Sequence, residues 1–106
     1  MSIVISGTGL FTPKESITNE ELVESFNSYV SIYNEENRDL IESGDLEPLV
    51  SSSSEFIKKA SGIEQRFVQD KAGILDIQRM KPRLKERSNS ELSILAEMAV
   101  SASREA

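Results

Sequence analysis

Residues 51–66 fit a helix start, a helix stop and a strand into one short stretch. Ser52 and Glu55 stand at capping-box spacing, where a hydroxyl and a carboxylate satisfy the free N–H groups of a first helical turn. Phe56, Ile57 and Ala60 follow as an inward-facing set, and Gly62 stands where a left-handed residue ends a helix. Residues 63–69 then alternate, with Ile63, Gln65 and Phe67 on one face, which predicts an exposed-edge strand. A short helix handing over to a strand within so few residues excludes an all-helical bundle and an all-β sandwich. The class is α/β, or α+β for this chain taken alone.

The rest of the chain fills in the order β-α-α-β-α. A run of β-branched residues at 2–6, closed by Gly7-Thr8-Gly9, predicts a buried strand. Thr12-Pro13 breaks the chain before the next element. Thr18-Asn19-Glu20-Glu21 is a second capping box. Leu22, Phe26, Tyr29, Val30 and Tyr33 then recur at helical spacing, predicting a helix over about 19–33 with an acidic outer face. Asn34–Asn37 interrupts it, with a further turn or two near Arg38–Ser43 before Gly44. The short helix covers 54–61 and the second strand 63–69. Residues 70–87, with Gly73 and Pro82, read as an irregular excursion with a helical turn at Ile74–Met80. A last helix over 89–106 is capped by Ser88 and Glu91, with Leu92, Leu95, Ala96, Ala99 and Ala102 on one face. It reaches Ala106 without a stop signal, so the chain is expected to be a portion of a longer one.

A chain of 106 residues holds one modest domain. At 38% hydrophobic and 28% charged residues it reads as globular and soluble, neither disordered nor membrane-embedded. Its apolar runs fall far short of the roughly 20 residues a membrane span needs. The start lacks a basic region followed by a long apolar one, so no secretory signal is expected and the cytoplasm is the expected location. With no cysteine and no histidine, the chain has no disulfide, no thiolate nucleophile and no ordinary transition-metal ligand set. Residues 1–50 carry ten acids and two bases, whereas residues 51–106 carry eight acids and ten bases. The net charge of −6 argues against nucleic-acid binding. Arg79, Lys81, Arg83, Lys85 and Arg87 form a local basic run that could meet a phosphate or an acidic partner.

Most other candidates have plain structural readings. Gly7-Thr8-Gly9 lacks the third glycine of a dinucleotide loop, since position 12 is threonine. Glu20, Glu21 and Glu24 sit at a helix N-terminus, where acids oppose the macrodipole, and nothing apolar raises their pKa. Ser51–Ser54 has no histidine or other base to activate a hydroxyl. Phe56, judged by the general burial of aromatics, is a core residue.

Four segments in order carry a resemblance to a known family. Ser54-Glu55-Phe56-Ile57 through Gly62-Ile63 and Arg66 resembles the "S-x-E-[WF]-I-x-x-x-[ST]-G-I-x-x-R" signature of the β-ketoacyl-acyl-carrier-protein synthase III family. Ile5–Gly9 with Pro13 is similar to that family's first strand and its exit. Thr18–Leu22 resembles its "TN-x-x-L" helix start, and Glu91–Ala106, with Glu97-Met98-Ala99, its helix after the second strand. Residues 73–82 resemble a longer-looped branch of the family.

The resemblance implies the N-terminal part of a thiolase-like fold, in an enzyme that is usually a homodimer. It implies decarboxylative Claisen condensation of an acyl-CoA primer with malonyl-acyl-carrier protein in fatty acid biosynthesis. The family's Cys–His–Asn set lies downstream, so no residue here takes a catalytic role and this chain alone is expected to be inactive. No cofactor or metal is implied; the coenzyme A thioester is substrate. Phe56 would stack on the CoA adenine, and Ser52 would contact the nucleotide nearby. The family's arginine one turn after the aromatic is Ala60 here, which removes a cation and leaves Arg79, Lys81, Arg83, Lys85 and Arg87 as alternatives for phosphate or carrier protein. Two other readings stay open: a stand-alone, non-catalytic interaction module, and a related thiolase-fold enzyme making polyketides, alkylquinolones or hydrocarbons.

Overall fold

The structure, a computed structural model, describes residues 2–106. These fall into two units, Lys14–Arg83 and residues 2–13 with Leu84–Ala106. The first holds strand β1 (Glu15–Thr18), helices α1 (Asn19–Glu36), α2 (Arg38–Glu42) and α3 (Ser54–Ser61), strand β2 (Gln65–Val68) and helix α4 (Lys71–Leu75); the second holds helix α5 (Ile94–Glu105). Helices with a two-stranded sheet make the chain a mixed α/β structure, as the sequence predicts.

In the larger unit β1 and β2 pair antiparallel, with Ile17 opposite Arg66 and Ser16 opposite Phe67. A two-stranded ribbon is marginal by itself and needs a packed face. Ile17 supplies it, at 1% exposure the most buried side chain, with Val30 of α1 the other buried apolar residue. The capping box at Thr18 forms as read: Thr18 Oγ1 accepts from the Glu21 N–H at 3.2 Å, and Glu21 Oε1 accepts from the Thr18 N–H at 3.3 Å. Asn19 carries the sheet into the helix, its N–H donating to Glu64 O at 3.0 Å and its amide to Ile63 O at 2.6 Å. The apolar stripe of α1 faces inward, and the rings of Tyr29 and Tyr33, one turn apart, lie 6.0 Å between centroids. The helix extends beyond Tyr33 to Glu36, Asn37 alone interrupts it, and α2 follows.

Two asparagines of α1 hold the segment that leads into α3. Asn34 accepts from Leu49 N–H at 2.9 Å and donates to Leu49 O at 3.0 Å. Asn27 does the same with Ser52, at 2.9 Å and 3.0 Å. Seven helical residues rise about 10.5 Å, and three extended residues span about 10 Å. The two clamps therefore fall in register, and residues 49–52 run along α1 like a strand against amide rungs.

The structure corrects several sequence expectations. Residues 2–6 form no strand, and Ile3 and Ile5 are 95% and 87% exposed. An apolar run becomes a strand only where a neighbour offers backbone groups, and the two strands among the described residues pair with each other. The N-cap of α3 is Ser53, not Ser52: Ser53 Oγ accepts from the Phe56 N–H at 3.1 Å, while Asn27 occupies both backbone groups of Ser52. Gly62 ends α3 in the left-handed conformation, φ 75°, as read. Gln65 and Phe67 do share a face of β2, but it is the exposed one; the register turns Arg66 and Val68 toward the side of Ile17. Phe56 and Ala60 also face outward, and only Ile57 of that set is half-buried.

Residues 70–87 are irregular except for α4, which lies earlier than the expected turn because Asp70 caps it. Asp70 Oδ1 accepts from Gly73 N–H at 3.2 Å and Oδ2 from Arg83 N–H at 2.6 Å, closing the loop on itself. Gly73 is needed for this closure, since a Cβ there would press on the Asp70 carboxylate and meet Lys81 O at 2.8 Å. In the second unit α5 begins at Ile94 with Ser93 as cap, three residues beyond Glu91. Ser88 and Glu91 close a separate turn, and Arg87 takes the Leu92 carbonyl at 2.8 Å, holding that residue outside the helix. Leu92 and Leu95, placed by the sequence on a packing face, are 54% and 74% exposed. Leu10 N–H meets Glu105 Oε2 at 3.4 Å.

With so few buried apolar side chains, each carries much of the packing. Ile17→Ala is expected to cost about 2–4 kcal/mol. A thermal midpoint that does not move would contradict the assignment of Ile17 to the centre of this unit.

Candidate functional site

Phe56 stands one turn into α3 with 65% of its surface exposed. That exposure excludes the core reading of Phe56 within this unit. Phe56 is exposed, and the ring adds little to the interior. Val50, Ser51, Ser52, Ser53 and Phe56 line an open cavity of about 610 Å³. Ser52 is half-buried, and with both backbone groups clamped by Asn27 its side chain is at the cavity wall. Phe56 and Ser52, both singled out from sequence, therefore border the same cavity. Ser52 also borders a smaller apolar cavity of about 270 Å³, with Leu22, Phe26, Ile57, Ile74 and Met80 in its wall.

Another cavity, of about 550 Å³, opens at the N-termini of α1 and α3. Glu20, Glu55 and Glu64 line it against one lysine, Lys58, which is already paired to Glu64 at 2.6 Å. That pair raises the Lys58 pKa and lowers that of Glu64 through their mutual hydrogen bond. Its carboxylates make this cavity unsuited to a phosphate, despite the two helix ends. The aromatic shelf at Phe56 carries no such penalty.

The basic run is divided between the two units. Arg79, Lys81 and Arg83 lie in the larger unit, Lys85 and Arg87 in the other. Arg79 is turned onto its own loop, donating to Lys81 O at 3.1 Å and Pro82 O at 3.2 Å. Arg83 pairs with Asp76 at 3.0 Å, and Arg87 with Glu97. The ammonium groups of Lys81 and Lys85 have no hydrogen-bond or ion-pair partner among the described residues. Charge counted along a sequence overstates the free charge, because three of the five cations are already engaged.

The sequence reading missed Asn27. Its signal was present: asparagines at positions 27 and 34 stand seven residues apart on α1, beside the apolar stripe instead of on the acidic outer face. A polar amide at a half-buried position needs partners, and exposed backbone with no sheet supplies them.

The chain matches no protein-family model. By sequence it is similar to the condensing enzymes that its motifs resemble, the β-ketoacyl-acyl-carrier-protein synthases. The relative is a β-ketodecanoyl-[acyl-carrier-protein] synthase of Pseudomonas aeruginosa, 61% identical over 84 residues, or 79% of this chain. Those residues cover 24% of that protein, so the chain spans about a quarter of the length of the curated relative it matches. The identity bears out the reading of the chain as an N-terminal portion of a condensing enzyme.

Asp70 sets the shape of the loop that carries Arg79, Lys81 and Arg83. Its pKa is held below the ordinary value first by the Arg83 N–H and then by the Gly73 N–H. A lowered folded-state pKa means stability that is present above the ordinary carboxylate range near about 4 and lost as pH falls through the folded value. Asp70→Asn is therefore expected to lessen the fall in thermal midpoint between about pH 5 and pH 3. An acid limb identical to that of the unsubstituted protein would contradict the closure.

Proposed function

We propose that this chain is the front portion of a β-ketoacyl-acyl-carrier-protein synthase of type III. It would join an acyl-CoA primer to malonyl-acyl-carrier protein by decarboxylative Claisen condensation in fatty acid biosynthesis. The observation that carries the reading is the 61% identity to a β-ketodecanoyl-[acyl-carrier-protein] synthase. The open Phe56 shelf supports the choice of an acyl-CoA substrate, since a flat exposed ring beside hydroxyl groups suits a purine. Within this proposal the whole enzyme is a cytoplasmic homodimer, and no helix of the described residues is long and apolar enough to cross a membrane.

The division of labour follows from composition. With no cysteine or histidine, these residues cannot take the acyl group or assist decarboxylation. They recognise the carrier instead: Phe56 stacks on the adenine and Ser52 contacts the nucleotide. Ala60 stands where the family's arginine would be, so phosphate recognition in the larger unit falls to Lys59 and Lys81, whose side chains have no ion-pair partner among the described residues, more than to the engaged Arg79 and Arg83. Lys81 and Lys85 are also free to meet an acidic carrier protein.

Stacking of one base on an aromatic ring is worth about 1–3 kcal/mol. In the full-length enzyme Phe56→Ala is expected to raise KM for acyl-CoA by about tenfold or more, with kcat little changed, because adenine lies far from the reacting thioester and contributes equally to ground and transition states. An unchanged KM would overturn the assignment of Phe56.

A further inference from the structure

We infer that Asn27 is a positioning residue for the nucleotide shelf, an inference that rests on the reading of Phe56 and Ser52 as CoA contacts. Asn27 is half-buried on α1 and is not among the residues that line the open cavity. Its amide accepts from Ser52 N–H at 2.9 Å and donates to Ser52 O at 3.0 Å. Both backbone groups of one residue are thus tied to one rigid helix, which fixes where the chain stands and which way it leaves. The next residue, Ser53, is the N-cap of α3, and its hydroxyl accepts from the Phe56 N–H at 3.1 Å. The position of the aromatic therefore follows from Asn27 through three consecutive constraints: amide to Ser52, peptide bond to Ser53, hydroxyl to Phe56.

Such a shelf needs this support. Phe56 contributes little to the interior, so the packing of α3 rests on the half-buried Ile57, and the Asn27 clamp adds a polar constraint at the start of the helix. A ligand that must first order its own site binds more weakly than one that meets a fixed site. The second rung supplies a matched comparison. Asn34 makes the same pair of bonds to Leu49, at 2.9 Å and 3.0 Å, but Leu49 lies outside the cavity wall, and Val50 and Ser51 separate it from Ser52. Removing either amide loses the same two hydrogen bonds, whereas only Asn27 is joined directly to the cap.

The experiment is calorimetric titration of the full-length protein and its N27A, N34A and F56A variants with coenzyme A, alongside thermal melting of each. N27A and N34A are expected to lower the melting temperature alike. N27A is expected to weaken coenzyme A by about tenfold, with N34A within about twofold of the unsubstituted protein. If N27A does not fold, N27D replaces it: the carboxylate still accepts from Ser52 N–H but cannot donate to Ser52 O, and it is expected to bind coenzyme A more weakly than N34A. If F56A binds coenzyme A normally, the shelf reading fails, and this inference with it. If F56A weakens binding while the Asn27 variant and N34A behave alike, the shelf stands and the positioning role of Asn27 is overturned.

Discussion

Two asparagine amides set the frame of the larger unit. A segment such as residues 49–52 has no sheet partner, so its N–H and C=O groups must find others or face water. Asn27 and Asn34 meet that demand because their spacing on a helix matches the rise of an extended chain. The consequence is mechanical. Once Leu49 and Ser52 are pinned, the place where α3 starts at the Ser53 cap is set. The ribbon of β1 and β2 closes the circuit by returning to the Thr18 cap, from which α1 begins. Each element is short and weak alone, and the unit depends on their being tied to one long helix.

The same economy shapes the chemistry. Several of the chain's charges are paired internally: Lys71 with Glu21 at 2.6 Å, Lys58 with Glu64, Arg83 with Asp76, Arg87 with Glu97. These pairs are substantially exposed and each is worth little singly, but they fix loops and helix ends in place. Glu21 illustrates the overlap, since its pKa is lowered first by Lys71 and then by the Thr18 N–H of the capping box. An exposed aromatic face and a row of hydroxyls remain open to a ligand, along with cations such as Lys59 and Lys81 that have no ion-pair partner among the described residues.

Local signals were legible in the sequence because their physics is local. The Thr18–Glu21 box, the inward stripe from Leu22 to Tyr33, the stop at Gly62 and the mixed α/β class depend on residues within a few positions of each other. The absence of thiol and imidazole chemistry needed only a count, and the condensing-enzyme resemblance needed only ordered motifs. The tertiary structure decided the rest. Whether Ile3–Ile5 became a strand depended on a neighbouring edge, and whether Ser52 or Ser53 capped α3 depended on Asn27, twenty-five residues away. The division of the basic run depended on which acids came within reach. Spacing along a chain records what a residue can do. Which partner it meets is fixed only when distant segments are brought together, because a hydrogen bond or ion pair acts over a few ångströms of space and not over sequence.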